Sequence, residues 1–337
     1  MKIGIIGDIH FSEYSSILRS RGTNFSVRLE NCIESINWAE QVTKDCDEVI
    51  YLGDFFDKST LNAEELTALS KIKWNNIHHK FLVGNHEMGI NNLMYSSAHI
   101  FNGLNMEVID KPMQINNKKE DLSLCFLPYI LENDRKSLSE YFPTEKQKHT
   151  IIFSHNDLAG IQLGPIISKA GFNLSEISNE CDLFFNGHIH NGMPITNKII
   201  NVGNLTGQNF SEDGFKYSHN IFILDTDIMG YTVIKNPYAI NFYKIENIND
   251  LSKVENAVVT VKVKSDIAPK IKKKLDKDSK IIASRLIIDY SKKADEKDIK
   301  ELLSIDHLDE FKKFVITQLS GSVNMDLVRE ELDYIYG

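Results

Sequence analysis

No run of about eighteen apolar residues occurs in this 337-residue chain, so no segment is expected to cross a bilayer as a helix. The opening MKIGIIGDIH is apolar too briefly and charged too soon for a secretory signal. Cysteine is scarce. Cys32, Cys46, Cys125 and Cys181 lie far apart and form no CxxC pair, which argues against a structural zinc cluster and for buried thiols in a reducing cytoplasm. Internal repeats and low-complexity tracts are absent. Positive charge is short overall: the net charge is −9, unlike a generic nucleic-acid binder. The shortfall is uneven, because residues 250–300 carry 14 Lys and Arg against 9 Asp and Glu, and the remainder carries 24 against 38. The lysines at 272–274 read either as a solvated helix face or as part of a phosphate-binding surface.

What is present is the composition of an ordinary globular protein, 42% hydrophobic and 25% charged. Short β-rich runs recur through the first 235 residues: IGII (3–6), EVIYL (48–52), KFLV (80–83), LCFL (124–127), TIIF (150–153), LFF (183–185), KIINV (198–202) and IFIL (221–224). Helical patterns separate the early ones. Leu29, Cys32, Ile33, Ile36 and Ala39 share one face of a 3.6-residue period, as do Leu66, Leu69 and Ile72. Asn62 and Glu65 have the spacing of a capping box. Alternating strands and helices predict an α/β core. AsnProTyr at 236–238 ends that region, and a polar linker is expected through about 253. A smaller α/β unit follows, with a strand at 258–263, a helix at 269–275 and a strand at 285–290. Residues 296–337 read as helices with two apolar stripes: Phe311, Phe314, Val315 and Leu319, then Leu327, Val328, Leu332 and Ile335. The expected division is 1–238, 239–295 and 296–337.

The chemistry sits at the strand ends. IGII leads into Gly7-Asp8-Ile9-His10, EVIYL into Gly53-Asp54, KFLV into Gly84-Asn85-His86-Glu87, TIIF into Ser154-His155, and LFF into Asn186-Gly187-His188-Ile189-His190. Any one of these alone is ordinarily a turn. Five in succession, each at the carboxyl end of a strand where α/β sheets build their functional crevice, predict one site. Two Asp, one Asn and four His, besides His86, form an oxygen and nitrogen donor set without thiolate, which suits Mn²⁺, Fe²⁺ or Zn²⁺ better than Ca²⁺. Seven donors exceed one such ion and suit two ions sharing a carboxylate, the arrangement that clamps a phosphate in displacement.

These motifs (Asp-x-His, Gly-Asp, Gly-Asn-His-Glu, His, Gly-His-x-His) resemble those of the calcineurin-like metallophosphoesterases over roughly residues 1–235. The resemblance implies an α/β fold with a two-sheet β-sandwich flanked by helices. The whole chain looks like the SbcD-type double-strand-break-repair nucleases and their phage recombination relatives, on GDFFD after the second strand, the NVGNLTGQNF loop and the overall length. It implies that Asp8, His10 and His190 hold one metal, that Asn85, His155 and His188 hold the other, and that Asp54 bridges both. The ions would be Mn²⁺, with Mg²⁺, Fe²⁺ or Zn²⁺ as alternatives, and would activate water against a phosphodiester. His86 would contact the phosphate and help the leaving oxygen depart, and Asn204 and Asp57 would contact substrate. Asp57 departs from the histidine common in cellular members, so it would repel phosphate or orient a neighbour, and it leaves the balance of exonuclease and endonuclease activity open. The implied partners are DNA, an SbcC-type coiled-coil ATPase docking on the C-terminal helices, and a second copy of the chain. The implied location is the cytoplasm, the host's if the chain is phage-encoded.

Other readings compete. A stand-alone phosphatase or cyclic-nucleotide phosphodiesterase would use identical chemistry, and a non-catalytic scaffold would have lost ligands that are all present here. Residues 91–104 stand where the family places dimer-forming helices, with Met94, Ala98, Ile100 and Phe101 available to that contact or to the core. His78 and His79 are expected at the surface, and His99, His149, His219 and His307 carry no motif.

Overall fold

The computed structural model describes residues 1–289, except 16, 19, 104, 164 and 165. The chain divides into two units. The first comprises residues 1–262 and 269–287, and the second comprises residues 263–268 and 288–337. The predicted C-terminal helices, with both apolar stripes and His307, lie outside the described residues.

The first unit is an α/β sandwich of two six-stranded mixed sheets flanked by helices. One sheet contains β1 (Lys2–Ile6), β2 (Glu48–Tyr51), β3 (His78–Leu82) and β4 (Met106–Ile109). The second contains β5 (Met113–Asn117), β6 (Leu122–Leu127), β7 (His149–Ser154), β8 (Leu183–Asn186), β9 (Met193–Pro194) and β10 (Ile199–Asn201). The chain then returns to the first sheet with β11 (Asn220–Asp225) and β12 (Gly230–Lys235). The orders are β12-β11-β1-β2-β3-β4 and β9-β10-β8-β7-β6-β5. Strands β1 to β4 run parallel, as do β6, β7, β8 and β10. Five carboxyl ends therefore point the same way within their sheets, which explains why the five motifs follow β1, β2, β3, β7 and β8.

Strand periodicity partitions the apolar residues into layers. Ile3, Ile5, Ile50, Leu82, Phe126, Phe153, Phe185 and Phe222 meet between the sheets. Their neighbours point outward. Ile6, Val49, Tyr51 and Phe81 pack under helix α1 (Val27–Thr43), against Leu29, Cys32, Ile36 and Ala39. Cys125, Ile152, Phe184 and Ile199 pack with Ile177 of helix α2 (Leu174–Glu180).

The sequence reading needs correction in four places. In the short helix Ala63–Leu69 the capping box forms, with Asn62 and Glu65 exchanging bonds of 2.9 and 3.0 Å. Leu66, however, is exposed, and Glu65 is the buried face. Ser12 Oγ, the backbone N–H of Glu13 and the Lys58 ammonium all reach the Glu65 carboxylate, and so turn that face inward. His79 is fully buried, because it alternates to the α1 side of β3 and meets Glu40 at 2.9 Å, whereas His78 is partly exposed. Within the segment expected to be helical, residues 92–101 form a strand (Asn92–Ser96) and a 3-10 turn (Ser97–Phe101) instead of α-helices. Ala98 and Phe101 join the core, while Met94 and Ile100 stay exposed. The expected polar linker contains a strand, Asn241–Ile245, because Phe242, Tyr243 and Ile245 bury there.

That strand pairs in parallel with Ala257–Lys264, and Ile281–Asp289 completes a three-stranded sheet. Helix Ala268–Leu275 lies between the last two strands in sequence and carries Lys272, Lys273 and Lys274 in its last turn. No helix among the described residues is long and apolar enough to cross a membrane.

Candidate metal centre

The strand-end residues converge. Three groups of potential ligand atoms lie within 4.8 Å of one another: Asp8 with His10 and His190, His10 with Asp54 and His86, and Asp54 with His155 and His188. Asn85 joins the last group, its Oδ1 standing 2.9 Å from His188 Nδ1 and 3.3 Å from His155 Nε2. The seven residues read as ligands thus fall into two groups, with Asp54 between them.

The backbone is bent to achieve this. His10, Asp54 and His188 adopt left-handed conformations, with φ of 49°, 46° and 71°, a region uncommon for non-glycine residues. Two glycines make the approach possible. Gly53 sits at φ +103°, where a Cβ would lie 2.5 Å from His155 Nδ1, and at Gly84 a Cβ would lie 2.1 Å from Asp54 Oδ1.

Each carboxylate is divided in function. Asp8 Oδ1 accepts from the backbone N–H of His188 (3.1 Å), while Oδ2 is buried without a partner. Asp54 Oδ1 accepts from the backbone N–H of His86 (2.9 Å), while Oδ2 faces His155 Nε2 at 3.1 Å and His10 Nε2 at 3.8 Å. Each histidine is divided in the same way. His10 Nδ1 is bonded to Asp57 (3.1 Å), His190 Nδ1 to Glu212 (3.0 Å), His155 Nδ1 to the Leu52 carbonyl (2.7 Å), and His188 Nε2 to Asp157 (3.1 Å). In all four an outer acceptor holds one ring nitrogen, which fixes the tautomer and turns the other nitrogen inward. His10 Nε2 is buried and has no hydrogen-bond partner. Buried polar atoms left bare are rare in proteins, and Asp8 Oδ2 with His10 Nε2 make a donor pair that fits a cation.

The electrostatics of the protein without cations agree. Burial opposes ionisation of Asp54, but His155 and His10 hold its pKa well below the usual carboxylate range. Burial opposes protonation of His155, yet Asp54 raises it to about 9. Burial lowers His10. Burial opposes protonation of His190, but the Glu212 hydrogen bond and the nearby carboxylates of Asp8, Glu212 and Asp54 together raise it. His86, partly exposed, is raised to about 9 by its interaction with Asp57. Burial and the nearby Asp54 raise Glu87, whose carboxylate accepts from the backbone N–H groups of Gly84 (2.8 Å) and Phe56 (3.0 Å).

Of the two residues read as substrate contacts, Asp57 bonds His10 and faces His86, so its carboxylate orients neighbours. Asn204 is buried, its side-chain amide has no partner, and its backbone N–H donates to the His190 carbonyl (3.1 Å). Sequence reading missed Glu212, Asp157 and Glu87. Asp157 sits two residues beyond His155 and Glu87 closes the third motif, so position alone could have raised them. Glu212 lies 22 residues from His190 and carries no local signal.

The sequence matches the family described as calcineurin-like phosphoesterase over residues 1–192. No curated protein matches it. Among solved structures, the crystal structure of calcineurin-like phosphoesterase YfkN from Bacillus subtilis aligns with 70% of this chain and 88% of its own, at 10% identity and a TM-score of 0.37. That likeness is too loose to build on. The family match alone spans more than half of the chain and contains all five strand-end motifs, and with two groups of metal-type donors meeting at one carboxylate it identifies a metal-dependent hydrolase of the phosphoesterase kind: the chain belongs to the calcineurin-like phosphoesterases.

Proposed function

We propose that the chain hydrolyses phosphoesters at two divalent cations that share Asp54, and that bond cleavage needs no second protein. The observation that carries this reading is the position of Asp54 Oδ2 between His10 and His155, members of two separate donor groups. Asp8, His10 and His190 would hold one cation, and Asn85, His155 and His188 the other. Oxygen and nitrogen donors without thiolate suit Mn²⁺, Fe²⁺ or Zn²⁺ better than Ca²⁺, and the resemblance to the SbcD-type nucleases favours Mn²⁺, with Mg²⁺ as a further alternative. When bound, such a pair supplies Lewis acidity at the phosphoryl oxygens and lowers the pKa of water.

The chain's own groups do the rest. The outer acceptors hold the four imidazoles in one orientation, so little rearrangement is needed on loading. His86 Nδ1 lies 3.5 Å from the Asp57 carboxylate and 3.3 Å from its carbonyl, which leaves Nε2 to meet a phosphate or leaving oxygen. In the cation-free protein Asp57 beside Nδ1 raises the pKa of that imidazole, the direction that favours a proton donor to the departing group. The buried, unpartnered amide of Asn204 is available as a further hydrogen-bonding group for substrate.

A second reading assigns DNA as the substrate, processed with an SbcC-type ATPase and by a dimer of this chain. It is supported by the helix Ala268–Leu275, whose clustered lysines suit a phosphate backbone. Hydrolysis of bis(p-nitrophenyl) phosphate, a cyclic nucleotide, and end-labelled duplex and single-stranded DNA should be measured with Mn²⁺ or Mg²⁺. Turnover of the small esters without DNA cleavage favours the first reading, DNA cleavage favours the second, and no turnover on any of them contradicts both.

A further inference from the structure

Strand β6 ends beside the cation centre without supplying a ligand. It runs parallel to β7, β8 and β10, so its carboxyl end faces the same way as theirs. Strands β7 and β8 lead into His155 and His188, β10 leads to Asn204, and β6 leads through Pro128 to Tyr129. The main chain there is held on both sides by segments that carry ligands. The Tyr129 N–H donates to the carbonyl of Val83 (2.9 Å), two residues before Asn85, and the Ile130 N–H donates to Asn156 Oδ1 (2.9 Å), next to His155.

The phenol ring rests on two imidazoles of one donor group. Its centroid lies 5.7 Å from that of His188, at an interplanar angle of 39°, and 6.5 Å from that of His155, at 68°. The side chain is half-buried, and its hydroxyl has no hydrogen-bond partner among the described residues. Charged neighbours are engaged elsewhere: Asp157 with His188 Nε2 (3.1 Å), and Arg135 with Glu132 and the Ile130 carbonyl (3.2 Å). Packing on the imidazoles needs only the ring. A phenol adds an O–H that ordinarily finds a partner when its ring is packed against protein, and the acceptor here has to come from outside the chain.

We propose that Tyr129 contacts the substrate in ester cleavage, its hydroxyl donating a hydrogen bond to a non-bridging oxygen of the phosphoryl group at the Asn85, His155 and His188 half of the centre. The inference rests on the esterase reading above and adds to that site a neutral donor outside the five strand-end motifs. The hydroxyl keeps its proton throughout. It stabilises the negative charge that gathers on the phosphoryl oxygens, as pre-placed donors do. The competing role is structural, a ring that steadies His155 and His188, and it predicts that phenylalanine replaces Tyr129 without loss.

Tyr129→Phe removes the hydroxyl and keeps the ring, and Tyr129→Leu removes both. In the full-length chain loaded with Mn²⁺, Tyr129→Phe should lower kcat/KM for bis(p-nitrophenyl) phosphate about 100-fold, with roughly tenfold in kcat and tenfold in KM. Its calorimetric titration with Mn²⁺ should match that of the wild type, and Tyr129→Leu should lose at least as much activity. Unchanged constants in Tyr129→Phe, or a loss of turnover that tracks a loss of Mn²⁺ binding, would overturn the contact. A second measurement needs no turnover. Inorganic phosphate titrated calorimetrically into the Mn²⁺-loaded chain should bind Tyr129→Phe about tenfold more weakly than the wild type. Equal affinities, or no binding to the wild type, count against the proposal. If the wild type cleaves no ester, the esterase reading fails, and the phosphate titration then decides the role of Tyr129 by itself.

Discussion

The two halves of the centre differ in what stands behind their histidines. Behind His10 and His190 are carboxylates, Asp57 and Glu212. Behind His155 is a main-chain carbonyl, that of Leu52, and only His188 has a carboxylate, Asp157. The inward donors differ in the same sense, since the first half adds the charged Asp8 and the second adds the neutral Asn85. A carboxylate behind an imidazole strengthens it as a ligand, whereas a carbonyl mainly fixes its orientation. The first half therefore offers a cation more negative charge, and it should load first and release last.

The largest expected effect erases the difference between the halves. Asp54→Asn weakens the donor they share, so both cations should be lost and turnover should fall by more than about a hundredfold, as metal analysis and an ester assay would measure. His86→Ala should leave both halves loaded while kcat drops roughly 10²- to 10⁴-fold, the range for losing a general acid. Metal content and kcat, measured on the same preparation, check it. The smallest change sharpens the comparison. Glu212→Gln should weaken the tighter site about 10- to 100-fold, and Asp157→Asn should weaken the looser one by a similar factor. Calorimetric titration with Mn²⁺ resolves the two, and the wild type should show two unequal steps.

Much of this site was legible in the sequence because strand ends and ligand types coincide. A buried strand announces itself as a short Ile, Val and Phe run, and Asp8, His10, Asp54, Asn85, His155, His188 and His190 each follow one within a few residues. The parallel order of β1 to β3, β7 and β8 then brings them together. The outer partners were illegible for the opposite reason. Glu212 reaches His190 from an irregular loop, and loop conformation has no periodicity to read. Leu66 and His79 failed for a related cause. Apolar spacing describes what a face would bury by itself, but the Glu65 and Glu40 carboxylates found partners in the interior and drew their own faces inward. The left-handed backbone at His10, Asp54 and His188 is uncommon for non-glycine residues, and no sequence pattern announces it.

Anomalous diffraction from crystals soaked in manganese tests the central claim most directly. Two peaks should flank Asp54, one reached by Asp8, His10 and His190, the other by Asn85, His155 and His188. A single peak, or peaks away from Asp54, would contradict a shared two-cation centre.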